Sequence, residues 1–378
     1  MFISGTYKRF SISIRNAKGI WVYDKNGKKY LDTFSGIGVN IFGHCDKDIT
    51  SAIIEKAKRF THISNFFLDE DASIIAEKLV KKTNKEGKVY FSNSGTEANE
   101  AALKTIKKYK NGIIVSFTGN FHGRTIGSLS ITGFENLREP FLPLLDNIVF
   151  LRYNDIEMFK NFFKENGENV SAVFVESVRG SGGLDKLDIE FANLIMEYKH
   201  KYGFILVADE VQSGLGRTGK FFAYQHFNLE PDIVTTAKAL GGGIPLGATI
   251  FIGKLQNIFS LGDHGSTFAP NPLALSASKV VLNKIDKNLL DEVTKKGIYL
   301  KDNLLSIDNP KILEVKGLGL MIGIKVDTNK DITKIALKEE ILLNVVKKNV
   351  IRLLPPLNIS YQEINLLVSK LKSILEKI

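Results

Sequence analysis

From Lys88 to about Gly253 the chain alternates short β-branched or aromatic runs with stretches whose apolar residues recur every three or four positions. The runs read KVYFSN, GIIVSF, NIVFL, SAVFVES, FILVADE, DIVTTA and ATIFIG. Strands alternating with helices predict a mostly parallel sheet with both faces covered. Ahead of this region, GIWVYDKNGKKYLD places two β-prone segments around Asn26-Gly27, a hairpin signal. Between Asp48 and Lys82, Ile49, Ala52, Ile53 and Ala57, then Ile74, Ile75 and Leu79, fall at helical spacing and predict two helices. After Pro272 the pattern turns helical again. It then predicts a strand pair around KGLGLMIGIKV, a helix from Ile332 to Lys348, a strand VIRLLP and a last helix from Tyr361 to Lys377.

Composition narrows the class. The 378 residues are 44% hydrophobic and 24% charged, enough apolar material for a large core in a globular protein. The lone Cys45 excludes an intramolecular disulfide and a cysteine-built zinc cluster, and no metal site is expected. A net charge of +10 raises nucleic acid, membrane surfaces and anionic substrates as partners. Its distribution favours the last: the lysines stand singly or in pairs such as Lys81-Lys82 and Lys347-Lys348, with no block resembling a basic arm. No run approaches the length of a membrane span and the N-terminus has no apolar leader core, so a cytoplasmic location is expected.

Five segments carry candidate chemistry. SNSGTEANEAALK follows a strand and opens a helix; Ser94 and Glu97 match a capping box, and Gly95 admits close backbone approach. It is either an ordinary capped helix or a phosphate site made of free amides with the Ser94 and Thr96 hydroxyls. FILVADEVQSGLGRTG ends a buried strand in Asp209 and Glu210, where α/β sheets bind ligands, although a strand-end acid can simply be solvated. Its Gly214–Gly219 spells G-x-G-x-x-G, but DEVQS intervenes after the strand and no helix cap follows, so a nicotinamide dehydrogenase is a remote alternative. DIVTTAKALGGG sets Lys238 among apolar residues and glycines; desolvation there would favour the neutral amine that forms a Schiff base with a carbonyl. NFHGRTIGS, with Phe121, His122 and Arg124, and HGSTFAP, with Ser266 and Thr267, read equally as packing or turns when taken alone.

In this order the segments resemble the class III, pyridoxal-phosphate-dependent aminotransferases of fold type I, most of all the acetylornithine and ornithine types. The resemblance runs from GIWVYDKNGKKYLDTFSGIGVNIFGH to RLLPPLNI. It implies an α/β fold with a large domain at 51–270 that binds pyridoxal 5'-phosphate, and a small α+β domain built from 1–50 and 271–378. It implies that Lys238 bonds the cofactor, Asp209 pairs with its ring nitrogen, and Gln212 meets its phenolic oxygen. Val211 and Phe121 would cover its two faces, and Ser94, Gly95 and Thr96 would hold its phosphate. Thr267, beside Ser266, would reach the phosphate of a neighbouring subunit, which makes the active unit a homodimer. Arg124 and Arg352 would take substrate carboxylates, a task that suits the guanidinium fork.

Two departures bear on the substrate. Where the family often reads E-P-x-Q-G-E-x-G, this chain has Glu176-Ser177-Val178-Arg179-Gly180-Ser181-Gly182-Gly183, so the second acid is lost and Arg179 adds a cation. Ala269-Pro270 replaces the usual glycine pair after HGSTF and stiffens a loop expected near the subunit interface. The expected reaction moves the terminal amine of N-acetylornithine to 2-oxoglutarate. Ornithine, 4-aminobutyrate, acetyl-lysine or another ω-amine are alternative donors, and a lyase or aminomutase with the same cofactor is an alternative reaction.

Overall fold

The computed structural model describes residues 2–378; Met1, with which the predicted first segment opens, lies outside the described residues. An antiparallel ribbon comes first, formed by β1 (Ile14–Lys18), β2 (Trp21–Asp24) and β3 (Lys29–Asp32). Asp24 closes the expected hairpin: its Oδ1 accepts from the Asn26 and Lys28 amides at 2.8 and 2.9 Å, and Gly27 takes the positive φ of 82° that the turn requires. The two expected helices follow as Lys47–Arg59 and Glu70–Lys81, each started by an aspartate, Asp46 or Asp69, whose side chain accepts from the first turn.

The central sheet contains all seven expected strands: β4 (Gly87–Ser92), β5 (Ile113–Phe117), β6 (Ile148–Leu151), β7 (Val170–Val175), β8 (Ile205–Asp209), β9 (Ile233–Thr236) and β10 (Gly247–Ile252). Their order is β4-β10-β9-β8-β7-β5-β6, and only β10 runs antiparallel to its neighbours. β7 and β8 are buried along their whole length, which is why SAVFV and ILVAD read as unbroken runs rather than as an alternation. Because β10 is reversed between β4 and β9, the carboxyl ends of β4, β5, β7, β8 and β9 all lie at one end of the sheet, the position where such sheets bind ligands.

The C-terminal strands β11 (Ile312–Leu318), β12 (Met321–Val326), β13 (Ile341–Leu342), β14 (Asn344–Val346) and β15 (Val350–Leu353) divide between two sheets. One has the order β11-β12-β15-β14, while β13 pairs in parallel with β3 to complete β1-β2-β3-β13. The predicted helix Ile332–Lys348 is therefore corrected: it stops at Lys338. Glu340 has φ 58°, a left-handed value that ends a helix, and the β-branched stretch beyond it gains sheet partners, Leu31 for Ile341 and Ile351 for Val345. The G-x-G-x-x-G segment starts no helix. Its Arg217, 1% exposed, donates to the carbonyls of Leu320 (3.1 Å) and Pro355, and so ties β8's extension to the segments that flank β12 and β15.

On the far side of the sheet, Phe159 and Phe163 stack at 4.4 Å, and Phe159, Phe163, Phe191 and Phe204 are all buried. Removing one ring leaves a void that close packing does not refill. Phe163→Ala is expected to cost about 3–5 kcal/mol. A thermal or urea unfolding midpoint equal to the wild type's would contradict this packing.

Candidate active site

Asp209 ends β8 and is 4% exposed. Its Oδ2 accepts from Asn99 Nδ2 at 2.8 Å and from His122 Nδ1 at 2.7 Å, and its Oδ1 accepts from the Val211 amide at 3.0 Å. A carboxylate enclosed in this way exchanges its water for protein donors. His122 follows β5; with Nδ1 engaged, its buried Nε2 has no partner. Asn99 lies one turn into the helix Gly95–Tyr109 and also donates to the His122 carbonyl at 2.7 Å, while its Oδ1 accepts from Thr235 on β9 at 2.9 Å.

Lys238 follows β9 in a tight turn with φ 45°, a backbone strained for a non-glycine residue. Burial lowers its pKa to about 8, and the Arg352 charge pushes the same way against Asp209 and Glu176. Glu176, just beyond β7, accepts from the amides of Phe121 (2.6 Å) and Gly180 (2.9 Å). Its own pKa is raised, mainly by burial and further by Asp209.

The helix Gly95–Tyr109 presents its amino end to the same space. Ser94 Oγ accepts from the Glu97 amide at 3.3 Å, but Glu97 reaches one residue further back than the capping box predicts and accepts from the Asn93 amide at 2.6 Å. The Thr96 hydroxyl is taken up by Arg124, Thr125 and Ser128, so it is the backbone amides of the first turn that face an anion. A Cβ on Gly95 would lie 2.5 Å from Val211 Cγ1; only glycine lets Val211 and the helix start come together.

These groups line one cavity of about 310 Å³, shared by Ser94, Gly95, Thr96, Phe121, Arg124, Val211, Gln212 and Lys238. Arg124 is exposed and lies over the Phe121 ring at 5.5 Å. Arg352, on β15 and 4% exposed, adjoins the cavity: its Nη1 donates to the Gly180 carbonyl (2.9 Å) and to Gln212 Oε1 (3.0 Å). Burial lowers its pKa to about 10. Ser181 lines the cavity. Arg179 does not: it pairs with Asp185, donates to the Thr118 carbonyl at 2.8 Å and lies over the Tyr153 ring at 4.3 Å. The expected extra cation is thus neutralised outside the pocket, which corrects that reading. Ser266 and Thr267 sit away from Lys238. Ser266 Oγ accepts from Asn93 Nδ2 at 3.1 Å, and Thr267 lines a separate cavity with Phe66, Phe67 and Pro270.

Sequence reasoning did not name Asn99, Glu176 or Tyr7 as site residues, and noted His122 without a role. Glu176 and His122 carried the same signal as Asp209, a polar residue just past a buried strand. Asn99 was marked by being amide-bearing in an alanine-rich helix. Tyr7 lines the cavity from an exposed N-terminal stretch that has no periodicity to read.

A buried carboxylate fixed by three donors, an amine of lowered pKa and a helix start made close by glycine fit one group: an aromatic aldehyde with a ring nitrogen and a phosphate. The fold and site define a pyridoxal-phosphate-dependent transferase of fold type I. The family described as Aminotransferase class-III matches residues 2–375, and the chain belongs to that family, with pyridoxal phosphate as its cofactor. It is 40% identical to an acetylornithine aminotransferase of Aquifex aeolicus, over 99% of this chain and 100% of that protein. To the protein of the same description in Bacillus subtilis it is 39% identical, over 97% and 96%. Among solved structures, an ornithine aminotransferase from Toxoplasma gondii superposes with a TM-score of 0.93 at 26% identity, over 100% and 93% of the two chains. An N-acetylornithine aminotransferase from Stenotrophomonas maltophilia does so at 0.84 and 28%, over 98% and 96%.

The lowered lysine pKa gives a test. Bonding of the cofactor's aldehyde by Lys238 would require the neutral amine, so attachment to cofactor-free protein should accelerate as pH rises through about 8 and level off above it. Visible absorbance of the bound cofactor follows the reaction. A rate that stays flat from roughly pH 6.5 to 9.5 would place the amine's titration elsewhere.

Proposed function

We propose that the protein transfers the terminal amine of N-acetylornithine to 2-oxoglutarate, giving N-acetylglutamate semialdehyde and glutamate. The observation that carries the reading is the cavity lined by Lys238 and Asp209, with Arg352 adjoining it through Gln212, in a chain matched over nearly its whole length by proteins described as acetylornithine aminotransferases.

Bound pyridoxal phosphate supplies the carbonyl that takes up the amino group and the ring that accepts the electron pair released at the substrate carbon. Lys238 Nζ takes the proton from that carbon and returns it one atom away, a two-way task suited to an amine that titrates near the working pH. Asp209 would hold the proton on the cofactor's ring nitrogen, and Asn99 and His122 hold Asp209 in place. The Gly95 and Thr96 amides, with Ser94, would hold the phosphate; Val211 and Phe121 would enclose the ring, and Gln212 would meet its phenolic oxygen. Arg124, exposed at the rim, takes the far carboxylate of either substrate, and Arg352 takes the α-carboxylate of the oxoacid.

Thr267 and Ser266 lie outside the chain's own cavity, on a surface where Phe66, Phe67, Leu68 and Phe268 are exposed. Exposed apolar area of that extent favours a homodimer in which Thr267 serves the partner's phosphate. We assign 51–270 to the cofactor-binding domain and 1–50 with 271–378 to a small domain, a division supported by the pairing of β13 with β3. Among the described residues no helix is long and apolar enough to cross a membrane, which accords with a cytoplasmic enzyme.

Adding N-acetylornithine without an oxoacid should bleach the cofactor's visible band in one turnover, and 2-oxoglutarate should restore it. Lys238→Ala should lose turnover by at least about 10⁴-fold. A band that persists with N-acetylornithine and bleaches with ornithine or 4-aminobutyrate would move the donor; undiminished turnover in Lys238→Ala would overturn the proton transfer.

A further inference from the structure

Arg352, like Arg217, is buried on neutral acceptors, but beside the cavity. A buried guanidinium ordinarily meets a carboxylate, yet every hydrogen-bond partner of Arg352 is neutral: Asn344 Oδ1, the Gly180 carbonyl and Gln212 Oε1. Asn344 supplies half of the hold. It stands directly across from Arg352 in the β14–β15 register, and its single oxygen accepts from both Nε (2.9 Å) and Nη2 (2.6 Å). Of the five guanidinium N–H groups, Asn344 takes two, Gly180 and Gln212 take two on Nη1, and one on Nη2 is left.

This geometry separates the two faces of the fork. Asn344 fills the Nε/Nη2 side, so the Nη1/Nη2 end is the face open to a bidentate carboxylate, which takes the remaining Nη2 proton and displaces Gln212 from Nη1. Ser181, at the nearby position where an acid is lost, adds no charge.

We propose that Asn344 is the positioning residue that keeps Arg352 aimed and unmasked for the α-carboxylate of the oxoacid, and thereby sets the preference for 2-oxoacids over aldehydes that lack this group. The inference rests on the transamination reading above. An aspartate at 344 would have the same shape and would place a carboxylate on the same two protons, closing the receptor by charge alone.

The test compares wild type, Asn344→Asp and Asn344→Ala, all with cofactor bound. Two acceptors are used: 2-oxoglutarate, and 4-oxobutanoate, which is 2-oxoglutarate without its α-carboxylate. Binding of glutarate, a dicarboxylate that cannot react, is measured by calorimetry and is independent of turnover. For Asn344→Asp we expect the glutarate Kd and the 2-oxoglutarate KM to rise roughly 10–100-fold, with kcat and the use of 4-oxobutanoate within about 3-fold of wild type. Asn344→Ala, which loses the aim without adding charge, should show the same pattern at about 5–10-fold and serves if the aspartate variant does not fold.

Wild-type-like glutarate binding in both variants, or equal losses for the two acceptors, would overturn the proposal and leave Asn344 as mere support for β14. Absence of amino transfer to 2-oxoglutarate in the wild type would instead sink the transamination reading, a failure visible before any variant is made.

Discussion

The desolvated carboxylate of Asp209 is the constraint around which the site is organised. A buried charge without water must be met by donors, or its pKa rises and the charge is lost. Asn99, His122 and the Val211 amide meet it, and each comes from a different part of the chain. Asn99 extends the constraint further, because it also binds the His122 carbonyl and the Thr235 hydroxyl. One carboxylate thus fixes the helix Gly95–Tyr109, the loop after β5, the end of β8 and the end of β9 relative to one another. Loss of any of these donors would disturb the loops that carry the others.

Around that anchor the charges form a graded series. Glu176 and Asp209 favour the protonated form of Lys238, while Arg352 and burial favour the neutral form, and burial is the largest influence. The outcome is an amine that accepts and returns a proton near neutral pH. Glu176 is kept from competing by its two amide donors, which spend the carboxylate on the geometry of the Gly180 loop. That loop in turn offers its carbonyl to Arg352, so the negative and positive ends of the site share one stretch of backbone.

Much of this was legible in the sequence. All seven central strands were visible because their runs are short, β-branched or aromatic and alternate with helical stretches, and Asp209, Lys238 and Gly95 stood out by position at strand or helix ends. The helix beyond Ile332 was read too long because the apolar spacing of Ile341, Leu342, Val345 and Val346 suits a helix as well as paired strands; the partners that decide it, Leu31 and Ile351, are set by tertiary structure. Arg179 reads as an added cation because a sequence motif does not show its pairing with Asp185. Asn344 gave no signal, since its meaning lies wholly in being opposite Arg352.

The reversed strand β10 has a consequence for how the enzyme comes into being. Gly247 pairs with Ser92 and Ala248 with Thr236, so the strand that seals the gap between β4 and β9 also sets the start of the helix Gly95–Tyr109 beside the lysine turn. Gly247 leaves no room for a Cβ there, which would lie 2.4 Å from the Ser94 carbonyl oxygen. A chain whose sheet has formed only from β5 to β9 has the strands but neither a shared floor nor a fixed distance between the two loops. Cofactor binding and the β4–β10 pairing therefore stabilise each other, because a ligand that needs both loops in place binds only the chain in which that pairing is made.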